Sequence, residues 1–157
     1  MSDGCFTLRD IFALNLADRE IGGIRLAILS ACETGLAGTE NADEAISLPT
    51  GLLQAGVAGV IASLWSVDEF STMLLLVKFY DNWRNQNQDA SEALCQAQHW
   101  LRDTTNREKS RYFAQQAGQT IPQEVAEYLA VRMDLEIPAE RSFAHPHHWA
   151  AFSYTGV

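Results

Sequence analysis

The feature that most constrains this chain is a pair of short apolar runs, residues 24–29 and 57–64, separated by a single segment of helical periodicity. The first run, Ile24, Arg25, Leu26, Ala27, Ile28 and Leu29, follows Gly22 and Gly23 and gives way after Cys32 to a polar, turn-forming stretch. Runs of this length without polar alternation read as buried parallel strands. Between the runs, residues 44–55 set Ile46, Leu48, Leu52, Leu53 and Ala55 at helical spacing and close on Gly56. Glycine accepts the left-handed conformation that ends many helices. Strand, helix and strand in this order demand a right-handed crossover. The expected fold class is therefore α/β, doubly wound, with a mostly parallel sheet flanked by helices.

Downstream, Ser66 and Glu69 stand at capping-box spacing, and Phe70, Met73, Leu74, Val77, Phe79 and Tyr80 supply an apolar stripe, which predicts a helix over 68–84. Asn85, Gln86, Asn87 and Gln88 form a turn. A second helix over 90–102 is predicted from Asp89 as cap, Glu92 at the box position, and Ala93, Leu94, Ala97, Trp100 and Leu101 on one face. Cys95 is read as part of that apolar face. Residues 104–119 are polar and 122–133 can hold a surface helix, so 104–144 reads as an insertion in one domain of residues 1–157. The aromatic stretch from Trp149 to Tyr154 reads as the last strand.

Charge and cysteine usage exclude several functions. With 11 basic residues against 20 acidic ones the net charge is -9, and no basic cluster exists to bind phosphates, which argues against nucleic acid as a partner. No run reaches the ~20 apolar residues that span a bilayer, and residues 1–10 lack a basic region followed by an apolar one, so a cytoplasmic protein without a membrane partner is expected. Cys5, Cys32 and Cys95 are too widely spaced for a CxxC metal or redox motif and read as reduced thiols. No cofactor or metal is expected. His147 and His148, adjacent on an expected strand, would point to opposite faces.

Cys32 is the residue best placed for chemistry, because it stands just beyond the C-terminal end of a parallel strand, where open α/β sheets put their ligands. The alternative is a buried cysteine acting as a small hydrophobe. Glu33 and Thr34 border it, with loop hydrogen bonds as their default role. Asp68 and Glu69 follow the second strand and either cap the next helix or recognise a basic side chain.

The order Leu-Ser-Ala-Cys32-Glu33-Thr34-Gly, then a helix, Ala55-Gly56, a strand and Leu64-Trp65 resembles the CHAT family, a branch of caspase-like and separase-like cysteine peptidases. Leu8 to Ile11, Glu92 to Ala97, and His145-Pro146 with Trp149 to Phe152 add to the likeness, which spans nearly the whole chain. The resemblance implies a caspase-like fold and a cysteine endopeptidase acting on proteins under the control of a regulatory protein or domain. It makes Cys32 the nucleophile, assisted by a histidine from a His-Gly motif on the preceding strand and by backbone N–H groups at the oxyanion. Glu33, Thr34, Asp68 and Glu69 would then border the substrate.

Residues 1–31 contain no histidine. Without a base, a thiol keeps a pKa of about 8.5 and is mostly protonated at neutral pH. The expectation is therefore a partial domain lacking its N-terminal strands, with the histidine supplied upstream or in trans. The alternative is a non-catalytic protein-interaction module. In either case an exposed sheet edge would favour association.

Overall fold

Val60, Ile61 and Ala62 are almost wholly excluded from water, and they are the centre of strand β2 (Gly59–Ser63). In the structure, a computed structural model that describes residues 23–30 and 48–156, β2 lies between β1 (Ala27–Leu29) and β3 (Phe152–Gly156). β1 and β2 are parallel, with Ala27 opposite Val60 and Leu29 opposite Ala62. The ladder is prolonged toward Ile24, whose carbonyl accepts from the Ala58 N–H at 3.1 Å. β1 is half-buried, not buried as its composition suggests, because it forms the edge of the described sheet while β2 is central.

Helix α1 (Leu48–Gln54) enters β2 through Gly56 at φ 101°. The Gly56 N–H bonds the Leu53 carbonyl and the Val57 N–H bonds that of Leu52. This doubly bonded left-handed cap satisfies the last carbonyls of the helix, as the glycine's position predicts.

β3 runs antiparallel to β2, with Ser63 opposite Phe152 and Gly59 opposite Gly156. The described sheet thus has one parallel and one antiparallel pair, which corrects the expectation of a mostly parallel sheet for these strands. The reason is where the chain returns. It leaves β2 at Ser63 and re-enters beside that same end, where the Leu64 N–H donates to the Ala151 carbonyl at 2.8 Å. Trp149 to Ala151 do not belong to the strand: Pro146–Trp149 is a single helical turn, α6, and Ala150 and Ala151 form the turn that follows. On β3 the Tyr154 ring lies across Gly59, where a Cβ would fall 2.6 Å from its hydroxyl, so side-chain bulk is excluded at that glycine.

The chain divides into two compact units, one holding the strands and α1, the other running from Val67 to Ala150. The second unit is helical. Helix α2 (Glu69–Tyr80) buries Leu74, Leu75 and Phe79, and α3 (Ala90–Asp103) buries Ala93, Leu94, Ala97 and Leu101. Each large aliphatic side chain so buried contributes about 1.5–3 kcal/mol. α2 ends in a π-helical turn (Asp81–Asn85), and Asn87 at φ 55° completes the expected turn.

Two expectations fail within this unit. The cap of α2 is Asp68, not Ser66: the Asp68 carboxylate accepts from the Ser71 N–H at 2.8 Å. Asp89 holds the cap position of α3 without a side-chain bond, and Glu92 accepts from Gln96.

The polar stretch from residue 104 is mostly helix α4 (Asn106–Gln116), opened by a full capping box in which Thr105 and Glu108 bond each other's backbone N–H. A tight turn then leads into α5 (Gln123–Asp134), the surface helix anticipated there. Among the described residues no helix is long and apolar enough to cross a membrane.

Candidate functional site

Parallel pairing brings the C-terminal ends of β1 and β2 to the same edge of the sheet, Leu29 beside Ala62. At that edge Ser63 is buried, and its hydroxyl has no hydrogen-bond partner among the described residues. Cys32 lies three residues beyond Leu29 in sequence. Cys32, Glu33 and Thr34 lie outside the described residues, as do Cys5, Leu8 to Ile11 and the start of the helix expected from Glu44.

Asp68 and Glu69 are described, in the second unit, and both are exposed. The Asp68 side chain closes the first turn of α2, and its carbonyl accepts from the Ser71 hydroxyl and the Thr72 N–H, both at 3.0 Å. Glu69 stands in the first turn, where a carboxylate is favoured by the helix dipole. Capping therefore accounts for Asp68 structurally, while no cap bond engages the Glu69 carboxylate.

In the same unit Phe70 meets Phe143 (centroids 5.9 Å apart), and Phe143 meets the edge of His148 at 5.4 Å. His148 belongs to α6, whose cap is His145: its Nδ1 accepts from the His147 N–H at 3.2 Å, and Pro146 takes the first helical position. His147 and His148 therefore do not sit on the strand that their sequence suggested. They share a helical turn, with their rings 5.7 Å apart. Burial, followed by the nearby His147, holds the His148 imidazole below its ordinary pKa, with Asp68 acting in the opposite direction and His145 adding to the lowering. Its Nδ1 is buried without a partner among the described residues. The grouping of Asp68 with three histidines was not anticipated. Even so, no set of three potential ligands among the described residues could hold a metal ion.

A family model described as the CHAT domain matches residues 1–157. The chain belongs to the CHAT domain family. Searches among curated proteins and among solved structures gave no match. For this CHAT chain the likeness seen in the sequence therefore holds over its full length, and it brings a caspase-like peptidase family with it.

Two further features of the CHAT chain were missed or misread in the sequence. Cys95 is exposed, not core. On α3 the buried positions are Ala93, Leu94, Ala97 and Leu101, and at 100° per residue Cys95 turns away from their common face.

The other feature is Asp81, which accepts from the Tyr112 hydroxyl at 2.7 Å and from Asn85 at 3.0 Å, and pairs with Lys78 at 3.4 Å. Burial pushes the Asp81 carboxyl up, but these partners outweigh it and hold it below the usual carboxylate range. Burial and the same carboxylate raise the Tyr112 phenol. The Lys78 to Asp81 spacing of a helical neighbour pair was the available signal.

Proposed function

We propose that this CHAT chain carries the nucleophile of a caspase-like cysteine endopeptidase domain acting on proteins, and that Cys32 is that nucleophile. The observation that carries the reading is the parallel β1–β2 pair, whose C-terminal ends share the edge just before Cys32. That edge is where an open α/β sheet presents its reacting groups. In the reaction the Cys32 thiolate adds to a peptide carbonyl and backbone N–H groups take up the oxyanion. The C–N bond then breaks as a proton passes to the leaving amine, and water hydrolyses the thioester.

The general base is assigned to a histidine outside residues 1–31, which contain none, supplied by another segment or a second polypeptide. Glu33 and Thr34 flank the nucleophile. Glu69, whose carboxylate the helix cap leaves exposed, is the better candidate of the two acidic residues to face a basic P1 side chain. Residues 104–144, which hold α4 and α5, form an insertion within this domain. A reducing compartment, the cytoplasm, suits its free thiols.

The test is labelling, in protein expressed from its native locus, with a peptidyl acyloxymethyl ketone bearing Arg or Lys at P1. A Cys95→Ser background removes the exposed competing thiol. An adduct on Cys32, absent in Cys32→Ala, is the expected result. Failure of Cys32 to react in the native protein would leave the chain as a non-catalytic interaction module.

A further inference from the structure

Helix α5 buries one apolar face and leaves a second one open. Ala126, Leu129 and Met133 are buried, whereas Val125, Tyr128 and Val131 on the helix and Leu135 at its C-cap are 37%, 51%, 62% and 71% exposed. At 100° per residue the centres of the two sets lie roughly 140° apart around the helix, so the exposed set is not the fringe of the core. Ile137, 60% exposed, follows α5 in sequence. Single exposed apolar residues are ordinary, but a row of them at helical spacing marks a contact surface.

Near the start of the row, Val125 also lines a cleft of about 260 Å³, with Val77, Tyr80, Ile121 and Pro122 among its other walls. A cleft of that size admits a bulky apolar side chain. It adjoins the π-helical turn Asp81–Asn85, a rare geometry often found at functional sites.

The charge along α5 and the residues that follow it is one-sided, while the cleft itself is walled by one acidic and one basic residue, Asp81 and Arg84. Residues 123–140 carry Glu124, Glu127, Asp134, Glu136 and Glu140 against Arg132 alone. The Arg132 guanidinium is drawn off to the Phe70 ring, 5.1 Å away.

We propose that this face of α5, with the cleft beside it, is the docking site for an amphipathic helix of a partner protein, apolar along one stripe and rich in Lys and Arg on its flanks. The apolar row supplies the seam and the cleft takes an anchoring side chain, as in helix-in-groove recognition. The carboxylates select basic flanks and speed encounter. A second copy of this chain fits poorly, because it would set the same carboxylates against one another in a chain of net charge -9. The proposal does not depend on Cys32 being a nucleophile.

The experiment is fluorescence anisotropy with a labelled Leu/Lys amphipathic peptide of about 15 residues, long enough to lie along α5, and with its Leu/Glu counterpart. The Leu/Lys peptide should bind the full chain, weaken with added salt, and lose at least about tenfold in affinity with Val131→Glu and with Leu135→Glu. Both positions are largely exposed, so the variants should keep the parent's thermal melt and helical circular dichroism. Each variant adds a negative charge, so attraction by acidity alone predicts equal or tighter binding, and that result overturns the proposal. Absence of binding to the parent chain also overturns it. So does a parent dimer that Val131→Glu dissociates in analytical ultracentrifugation, since the face would then belong to a second copy.

Discussion

Lys109 offers the sharpest test of how the helical unit is held together. Its side chain is fully buried in α4, with the ammonium donating to the Thr104 carbonyl and lying 5.6 Å from the Trp100 ring centroid and 5.7 Å from that of Phe143. The Glu108 and Asp103 carboxylates act on it only at a distance, and Arg141 opposes them. Burial dominates and lowers the pKa from 10.5 to about 8. A displacement of that size corresponds to about 3 kcal/mol of strain in keeping the charge buried at neutral pH.

The sign follows from proton counting. Between the folded and unfolded pKa values the unfolded chain binds more protons, so stability rises with pH across that window. From about pH 7 to about pH 9.5 the gain should be about 2 kcal/mol. Lys109→Met keeps the aromatic packing and removes the titration. Urea unfolding followed by circular dichroism at both pH values should therefore show the stability difference between variant and parent moving by about 2 kcal/mol in the parent's favour at high pH. Parallel pH dependence in the two proteins would mean that the Lys109 ammonium is hydrated or paired in solution, and the reasoning would be wrong.

Two further outcomes follow from the caps and the histidines. Asp68→Ala should cost about 1 kcal/mol in urea unfolding and Asp68→Asn much less, because an amide oxygen can still accept from the Ser71 N–H. Equal stability of both variants with the parent would remove the capping role. Because the His148 pKa is depressed by burial and by His147, its stabilisation is present above the ordinary histidine value and is lost as pH falls through the depressed one. Thermal melts from about pH 7.5 down to about pH 5 should thus fall less steeply in His148→Phe, which retains a ring against Phe143. Identical slopes would show that groups other than His148 carry the acid sensitivity.

The parts of this fold that were legible in the sequence are those set by local composition. β1 and β2 emerge from apolar runs, the end of α1 from Gly56, and the core face of α3 from Ala93, Leu94, Ala97 and Leu101. Helix α4 was hidden because its residues are polar on average. Its signal lay in the Thr105 to Glu108 capping box and in Lys109 and Phe113, one turn apart and both buried. That Lys109 is buried depends on Trp100 of the preceding helix and on Phe143, distant in sequence, whose packing over α4 no local pattern announces. The direction of β3 was equally beyond reach. It depends on the end of the sheet at which the chain returns after a whole helical unit, and local periodicity is the same for both directions.

The same distinction separates the candidate residues Cys32 and Asp68. Cys32 is conspicuous because a strand ends just before it, a local fact that the family match over residues 1–157 reinforces. Asp68 was ambiguous for a related reason: a carboxylate after a strand and before a helix suits both a cap and a charged pocket. The 2.8 Å bond to Ser71 shows that Asp68 is already engaged in ordering α2, which shifts the weight of any basic side-chain recognition toward Glu69. The two acidic residues are therefore separable. Glu69→Gln should alter P1 preference for Arg and Lys without moving the melt, whereas Asp68→Ala moves the melt through the cap. A Glu69→Gln domain that cleaves basic and neutral P1 substrates in the parent's ratio would return both carboxylates to a purely structural role.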